Sequence, residues 1–400
     1  MKGHFVFGFL LFAVLSCAAQ DTPSTQPSIL YDNFKHPFLV NCDRGQTLNA
    51  TLAKMNKVSP GTVVFTGTCT EYVVVDGFEN LTLRGVQGAT IQQPNTPPPP
   101  HPAFVLSVKA SRGVTLSGFA VHSQPSVLSS IGIGGGSTDT MVRDITTDGS
   151  YGITVYEASQ AWIVGATVNL VYGYAAISAW DKSDIHMVDG LLQRPANGAW
   201  NVGLYVESGH VTMQGMTIRD MQQGISINSS GSVDVSNFDP TAKGVDVIID
   251  NPSGTNFNGV LVSDSSSLNL AQPNKLRITN AGQSWGGDTG AVLVTNGSTL
   301  SSAGSNLVVS GSQSQGVVVS NNSHAEFSGS SITGSARGGL VVVNLSTATA
   351  DTNNPLTVIS SNGTDLFCDS RSQIAGTLNM ANVSVVNCNN LLPSTYQNLP

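Results

Sequence analysis

Charge is scarce in this chain. Only 10% of its 400 residues are Asp, Glu, Lys or Arg, and the formal net charge is -8. A phosphate backbone would be repelled rather than gathered, so nucleic acid is not an expected partner. Aromatic residues are as thin, at 6%. Beyond the first 20 residues there is no apolar run long enough to cross a bilayer, which argues against a transmembrane segment. Strong helix formers give way to 42 glycines and to abundant Ser, Asn, Thr and Val, a composition for many short strands and turns. With 40% hydrophobic residues spread evenly, the chain has enough apolar side chains for a core and is not expected to be disordered.

Residues 1–20, "MKGHFVFGFLLFAVLSCAAQ", have a basic start, a short apolar stretch and a small-residue exit. They predict a secretory signal peptide and hence export or the cell surface. "VLSC" also has the form of an imperfect lipoprotein box, in which Cys17 would carry a lipid anchor. The predicted organisation is the signal peptide at 1–20, a linker at 21–36, one repetitive domain at 37–392 and a tail at 393–400. Four further cysteines fall in sequence-local pairs, Cys42 with Cys69 and Cys368 with Cys388. An oxidising compartment permits both bridges, and four buried thiols are the alternative. Eight Asn-x-Ser/Thr sequons are present; in so Asn- and Ser-rich a chain they are read as products of composition, of consequence only in a glycosylating host.

One pattern recurs: a small residue, then apolar, any, apolar, any, polar. It appears as "GITVYE" at 152, "AISAWD" at 176, "GLYVES" at 203, "GISINS" at 224, "GVLVSD" at 259, "AVLVTN" at 291, "GVVVSN" at 316 and "GLVVVN" at 339. Steps of 21 to 35 residues with period-2 alternation inside each unit indicate a solenoid of stacked strands, two or three per coil. Ile153 and Val155, Ile177 and Ala179, Leu204 and Val206, and Ile225 and Ile227 should point inward. No unit can bury that face alone, so the stack itself is the core. "GQTLNATLAKMN" (45–56) sets Leu48, Leu52 and Met55 on one helical face behind Thr47, predicting a short N-terminal capping helix. "NTPPPPHP" (95–102) cannot join a ladder and reads as an excursion from a turn.

The stretch "TVVFTGTCTEYVVVDGFENLTLRGVQGATI" is similar to the first coils of right-handed parallel β-helix proteins of the pectin-lyase-like superfamily, and the resemblance runs from about residue 37 to 390. It implies an all-β fold, a right-handed parallel β-helix. The superfamily holds pectate lyases, pectinesterases, polygalacturonases, phage tailspikes and other exported proteins. The multiple-Asp and Gly-His-Gly segments that resemblance to polygalacturonases would require are missing here, as are the paired-Asp segments of pectinesterases. No catalytic residue carries over.

Chemistry is expected where the sparse aromatics gather. Eight of the twelve Trp and Tyr residues fall between 151 and 205: Tyr151, Tyr156, Trp162, Tyr172, Tyr174, Trp180, Trp200 and Tyr205. Aligning the coils puts Tyr156, Trp180 and Glu207 in one column, Glu157 and Asp181 in the next, and Gln160, Asp184 and His210 a little further round. Tyr156, Trp180, Tyr205, Glu207 and Asp184 are therefore candidate substrate-binding residues for a polysaccharide or cell-surface glycan. Glu157, Asp181 and His210 are candidate catalytic groups for a lyase or hydrolase, and Glu157 with Asp181 could hold Ca²⁺. The competing reading is structural. The Glu157 and Asp181 column continues as Ser208, Ser229, Asp264, Asn296, Asn321 and Asn344, as a ladder of turn residues would. A non-catalytic, adhesin-like solenoid is the alternative function. His186 is expected to face solvent. Leu261, Leu293, Val318 and Val341 form an outward apolar stripe that needs a cover, either residues 280–290 or a second subunit in a homo-oligomer.

Overall fold

The computed structural model describes residues 37–95, 104–149, 151–194, 201–251, 258–282, 289–302, 306–361, 364–381, 385–386 and 396–398. The expected signal peptide, Cys17, Cys388, Trp200 and all of the proline-rich excursion except Asn95 lie outside them.

The chain runs in succession through three sheets, here A, B and C, and every pairing is parallel, each strand bonding to its equivalent one coil away. Sheets A and B have 14 strands each and sheet C has 13 among the described residues, giving about 12 turns of a parallel β-helix. Its right hand is the one that right-twisted strands favour. The predicted inward pairs are all fully buried, from Ile153 and Val155 through to Ile225 and Ile227. Each apolar side chain in that interior contributes about 1.5 to 3 kcal/mol.

The small residue that opens each repeat has a physical cause. A Cβ on Gly224 would lie 2.5 Å from the Gly259 carbonyl oxygen one coil on and 2.7 Å from Ile249 Cγ2, which crosses the core from sheet B. Gly203, Gly259, Gly316 and Gly339 meet the same two obstacles, a carbonyl oxygen from the next coil and a γ-methyl from sheet B. The second strand position of sheet C is thus squeezed between neighbouring backbone and the opposite wall.

The corner from C to A carries two polar layers. Glu157, Asp181, Ser208, Ser229, Asp264, Asn296, Asn321 and Asn344 all have φ between 53° and 58°, the left-handed region that Asn and Asp tolerate best. Outside, amides stack: Asn296 Nδ2 donates to Asp264, Asn321 Nδ2 to Asn296, and Asn344 Nδ2 to Asn321, at 3.0 to 3.3 Å. Inside, two residues later, lies a buried serine ladder. The backbone N–H of Ser298 donates to Ser323 Oγ and that of Ser323 to Ser346 Oγ, both at 3.2 Å, and the same bond joins Ser111 to Ser137 and Ser137 to Ser159. Gly209 and Gly231 interrupt it. Ser323→Ala would leave the Ser298 N–H buried without an acceptor, so it should cost about 1 to 3 kcal/mol in a denaturant titration. Asn321→Ala on the exposed layer should cost well under half of that.

The predicted helix forms, shorter than expected, at Leu48–Leu52 behind Thr47, whose hydroxyl accepts from Ala50 N; Leu48 and Leu52 are buried on the first coil, while Met55 lies beyond the helix end and is only partly buried. Glu71 holds its N-terminus, accepting from Leu48 N at 2.6 Å and Asn49 N at 3.1 Å. The Cys42–Cys69 disulfide is formed. Cys368 is also disulfide-bonded, and its expected partner Cys388 lies outside the described residues. In the apolar stripe, Val318 is fully buried, while Leu261, Leu293 and Val341 are half-buried. Most of the segment expected to cover it, residues 283–288, lies outside the described residues.

Candidate functional site

The strand geometry divides the predicted site between two faces. Tyr205 faces out from the middle of its strand in sheet C, paired with Ser178, and Trp180 pairs with Glu207 at the outward end of the neighbouring strands. Tyr156 follows the strand Tyr151–Val155 in the same column. Beyond the corner, Gln160, Asp184 and His210 are register partners on sheet A. Asp184 and His210 therefore share a face with each other but not with Trp180.

On sheet C the aromatic rings form two groups. Tyr174 packs on Tyr205 edge to face with centroids 5.2 Å apart, and Tyr151 reaches Tyr174 and Trp180, each at 6.3 Å. In the other group Tyr156 lies 5.5 Å from Phe104, which is itself almost fully buried. The rings of these two rest on Gly132 and Gly134, where added Cβ atoms would stand only 2.5 and 2.2 Å from ring carbons. Sequence reasoning passed over Phe104 because it looked for Trp and Tyr; the signal was the "IGIGG" of the intervening coil, whose Gly132 and Gly134 leave room for a ring from each side. Beneath the rings a hydroxyl ladder is satisfied within the protein, with Thr154 Oγ1 bonded to Ser129 at 2.8 Å and to Ser178 at 3.0 Å.

The phenols of this face hold their protons. Burial, reinforced by the Glu157 charge, pushes Tyr156 up to about 12. Burial and then the hydrogen bond donated to Glu207 Oε2, 3.0 Å long, raise Tyr205 well above the usual phenol range. Tyr151 and Tyr174 are raised too, by burial and then by the neighbouring Tyr174 and Glu207 respectively. Tyr156 and Tyr205 should stay neutral at pH 10, where an ordinary phenol is half ionised, and Tyr151 and Tyr174 should be less ionised there than an ordinary phenol. A phenolate absorbance titration, with single Tyr→Phe variants for assignment, should place Tyr156 near pH 12. Because the folded-state values are raised, the associated stability is complete below pH 10 and is lost as the pH rises through them.

Glu157 and Asp181 sit exposed at the corner. Glu157 Oε2 accepts from Gly135 N at 2.9 Å, a bond to the turn of the preceding coil, and the Asp181 carbonyl accepts from Ala158 N at 2.9 Å. Both make the left-handed turn that their whole column makes. On sheet A, both His210 ring nitrogens have protein partners. Nδ1 is 2.8 Å from Ser232 Oγ, and Nε2 is 3.2 Å from Thr212 Oγ1 and 3.6 Å from Asp234. Partial burial alone would raise the Asp184 carboxyl. Hydrogen bonds from His186 and Gln160, with the His186 and His210 charges, outweigh it and hold the group below the usual carboxylate range. Asp184 is therefore an ionised acceptor at neutral pH. Among the described residues, no three His, Cys, Asp or Glu side chains are grouped to hold a metal ion.

His186 does not face open solvent. Its ring lies 4.4 Å from Trp162 and 5.7 Å from Phe238, which also contacts Trp162. Phe238 belongs to an 11-residue insertion, 236–246, where most A-to-B corners need one or two residues. Gln214 anchors it, accepting from Phe238 N and Asp239 N, and Asp189 accepts from Lys243 N and Gly244 N. Trp162 is thus packing under a loop, whereas Tyr151, Tyr156, Tyr174, Trp180 and Tyr205 on sheet C remain at least partly exposed. The strand pattern alone could not foresee a loop folding back.

The stacked sheets make this a parallel β-helix protein, as the sequence resemblance implied at the level of fold. No family model matches the sequence, and the curated proteins searched give no match. Among solved structures, a surface protein and adhesin of Streptococcus pneumoniae, PfbA, is similar at 13% identity, covering 87% of this chain and 94% of its own, with a TM-score of 0.46. The periplasmic alginate epimerase AlgG is similar at 12% identity, 90% and 83% coverage and a TM-score of 0.46. An alginate lyase of the PL6 family, AlyGC, is similar at 12% identity, 91% and 74% coverage and a TM-score of 0.34. Likenesses this distant carry no residue correspondences. In the described residues no helix is long and apolar enough to cross a membrane.

Proposed function

We propose that this protein is a glycan-binding β-helix that holds polysaccharide on the outer face of sheet C. The observation that carries the reading is the linked set of Tyr151, Trp180, Tyr174 and Tyr205 on adjacent coils, spread over two coil steps of about 4.8 Å, or roughly 10 Å. These rings, with Tyr156 resting on Gly134 beside them, present apolar faces for pyranose stacking, while neutral phenols offer both donors and acceptors to hydroxyls. Glu157, Asp181 and Glu207 border the face with Lys182, a mainly acidic rim that favours a neutral polymer over a polyuronate. Export through residues 1–20 fits the Cys42–Cys69 disulfide, which belongs to an oxidising compartment.

Binding is preferred to cleavage because Glu157 and Asp181, the two carboxylates on adjacent coils, have a conformational role that accounts for them. The test is a screen of the mature protein against neutral and acidic polysaccharides, with and without Ca²⁺, scoring retention and new chain ends. Retention without new ends is the expected result, and Ca²⁺-dependent retention would mean that Glu157 and Asp181 share a cation. New ends that vanish in a Glu157→Gln, Asp181→Asn double variant would make the protein a lyase or hydrolase. No retention on any polymer would leave the adhesin-like reading, with another class of partner.

A further inference from the structure

A cleft of about 380 Å³ opens where sheet B turns into sheet C, lined by Gln92, His122, Ser123, Asp148, Val171 and Tyr172, with Gly149 between them. Gln92, His122 and Asp148 are register partners on three consecutive coils, so their side chains leave the same face of sheet B about 4.8 Å apart. His122 Nδ1 lies 2.6 Å from Asp148 Oδ1. That bond fixes the ring and leaves Nε2 for a ligand.

The rest of the cleft is built to stay open. Gly149, at φ 109°, lies so close to Ser123 that a Cβ there would be 2.1 Å from the Ser123 carbonyl oxygen. The Gly149 carbonyl accepts from Val171 N at 3.1 Å and Tyr172 N at 2.6 Å, which places Tyr172 at the rim, where it is 49% exposed. On the other side Gln93, almost fully buried, pins the adjoining turn by accepting from Gln124 N at 2.7 Å and donating to Ser126 Oγ at 2.6 Å. One exposed ring, one apolar wall and an array of amide, imidazole and carboxylate groups form a site for a hydroxyl-rich ligand. Its volume lies at the small end of those that hold small molecules. Tyr172 is two residues from Tyr174, which packs on Tyr205, so the cleft continues the aromatic face of sheet C around the corner.

The geometry points to a sugar subsite: the cleft receives one neutral pyranose unit of a chain whose remaining units lie on sheet C. Tyr172 stacks on the ring, and His122, Asp148 and Gln92 bond its hydroxyls. This assignment rests on the reading of sheet C as a glycan platform, and length dependence separates the two. The probes are cello-, malto- and laminari-oligosaccharides from disaccharide to octasaccharide, titrated calorimetrically into the full mature protein. A series that binds should gain affinity with length. Tyr172→Ala and His122→Gln should each lower octasaccharide affinity about tenfold and leave the shortest binding member unchanged, while Trp180→Ala weakens every member. Both residues are outward and partly exposed, and thermal melts of the variants confirm folding. If Tyr172→Ala and His122→Gln bind every length as the parent does while Trp180→Ala loses binding, the subsite is overturned and the platform stands. If Trp180→Ala binds normally, or no series binds, the platform reading fails and takes the subsite with it.

Discussion

Gly224→Val should be among the most damaging single substitutions in this chain, lowering stability by about 3 kcal/mol or more. Its Cβ would stand 2.5 Å from a carbonyl oxygen of the next coil and 2.7 Å from the Ile249 side chain. Neither obstacle can rotate away: one is ladder backbone and the other is a fully buried core side chain. The γ-methyls of valine add further volume to a packed interior. Since each coil rests only on its neighbours, the damage should be centred there, and a denaturant titration should show an earlier or broadened transition. Ala176 occupies the same register with a methyl group and is buried, so Ala176→Gly should cost no more than about 1 kcal/mol. A Gly224→Val protein within ~0.5 kcal/mol of the parent would show that the coils can part more easily than this packing implies.

Trp180→Ala should reduce retention on the recognised glycan at least tenfold, equivalent to about 1.4 kcal/mol. Trp180 is the largest ring of the sheet C face, at the outward end of its strand, and it meets Tyr151 edge to face. Central aromatic side chains of this kind commonly dominate a binding surface. Trp180→Phe should recover much of the loss by restoring a stacking face. The informative control is Trp162→Ala. That ring lies on sheet A between His186 and Phe238, so its removal should destabilise the 236–246 insertion and leave retention unchanged. Equal losses in both variants would indicate a general structural effect rather than a binding face.

The coil and its register were legible because each side chain's direction is dictated by strand alternation, and a misplaced register would turn every Ile and Val outward. The same alignment found the columns of Trp180 with Glu207 and of Asp184 with His210. It could not say that a sharp corner separates those columns, because strand phase does not encode the angle between consecutive sheets. The buried serines were overlooked for a related reason. Ser298, Ser323 and Ser346 look like loop polarity until the neighbouring backbone N–H groups are known to need them. Likewise, the pairing of His122 with Asp148 depends on register in sheet B, whose short strands carry less pattern than those of sheet C.

The two polar layers of the C-to-A corner also bear on modification. Asn296-Gly-Ser298, Asn321-Asn-Ser323 and Asn344-Leu-Ser346 each match the acceptor sequence for N-linked glycosylation. Here the spacing is imposed by geometry: an amide at the left-handed position, one residue to complete the turn, and a hydroxyl buried against the next coil. Each coil that puts Asn at this corner with a serine two residues on writes an acceptor sequence as a by-product of stacking. A host with the transferase would meet those sequences while the chain was still extended, before the amides had found one another. An oligosaccharide on Asn321 would occupy the nitrogen that otherwise bonds Asn296. Material from such a host would carry a row of glycans along one edge in place of the outer ladder, whereas bacterial material would carry the bare amides.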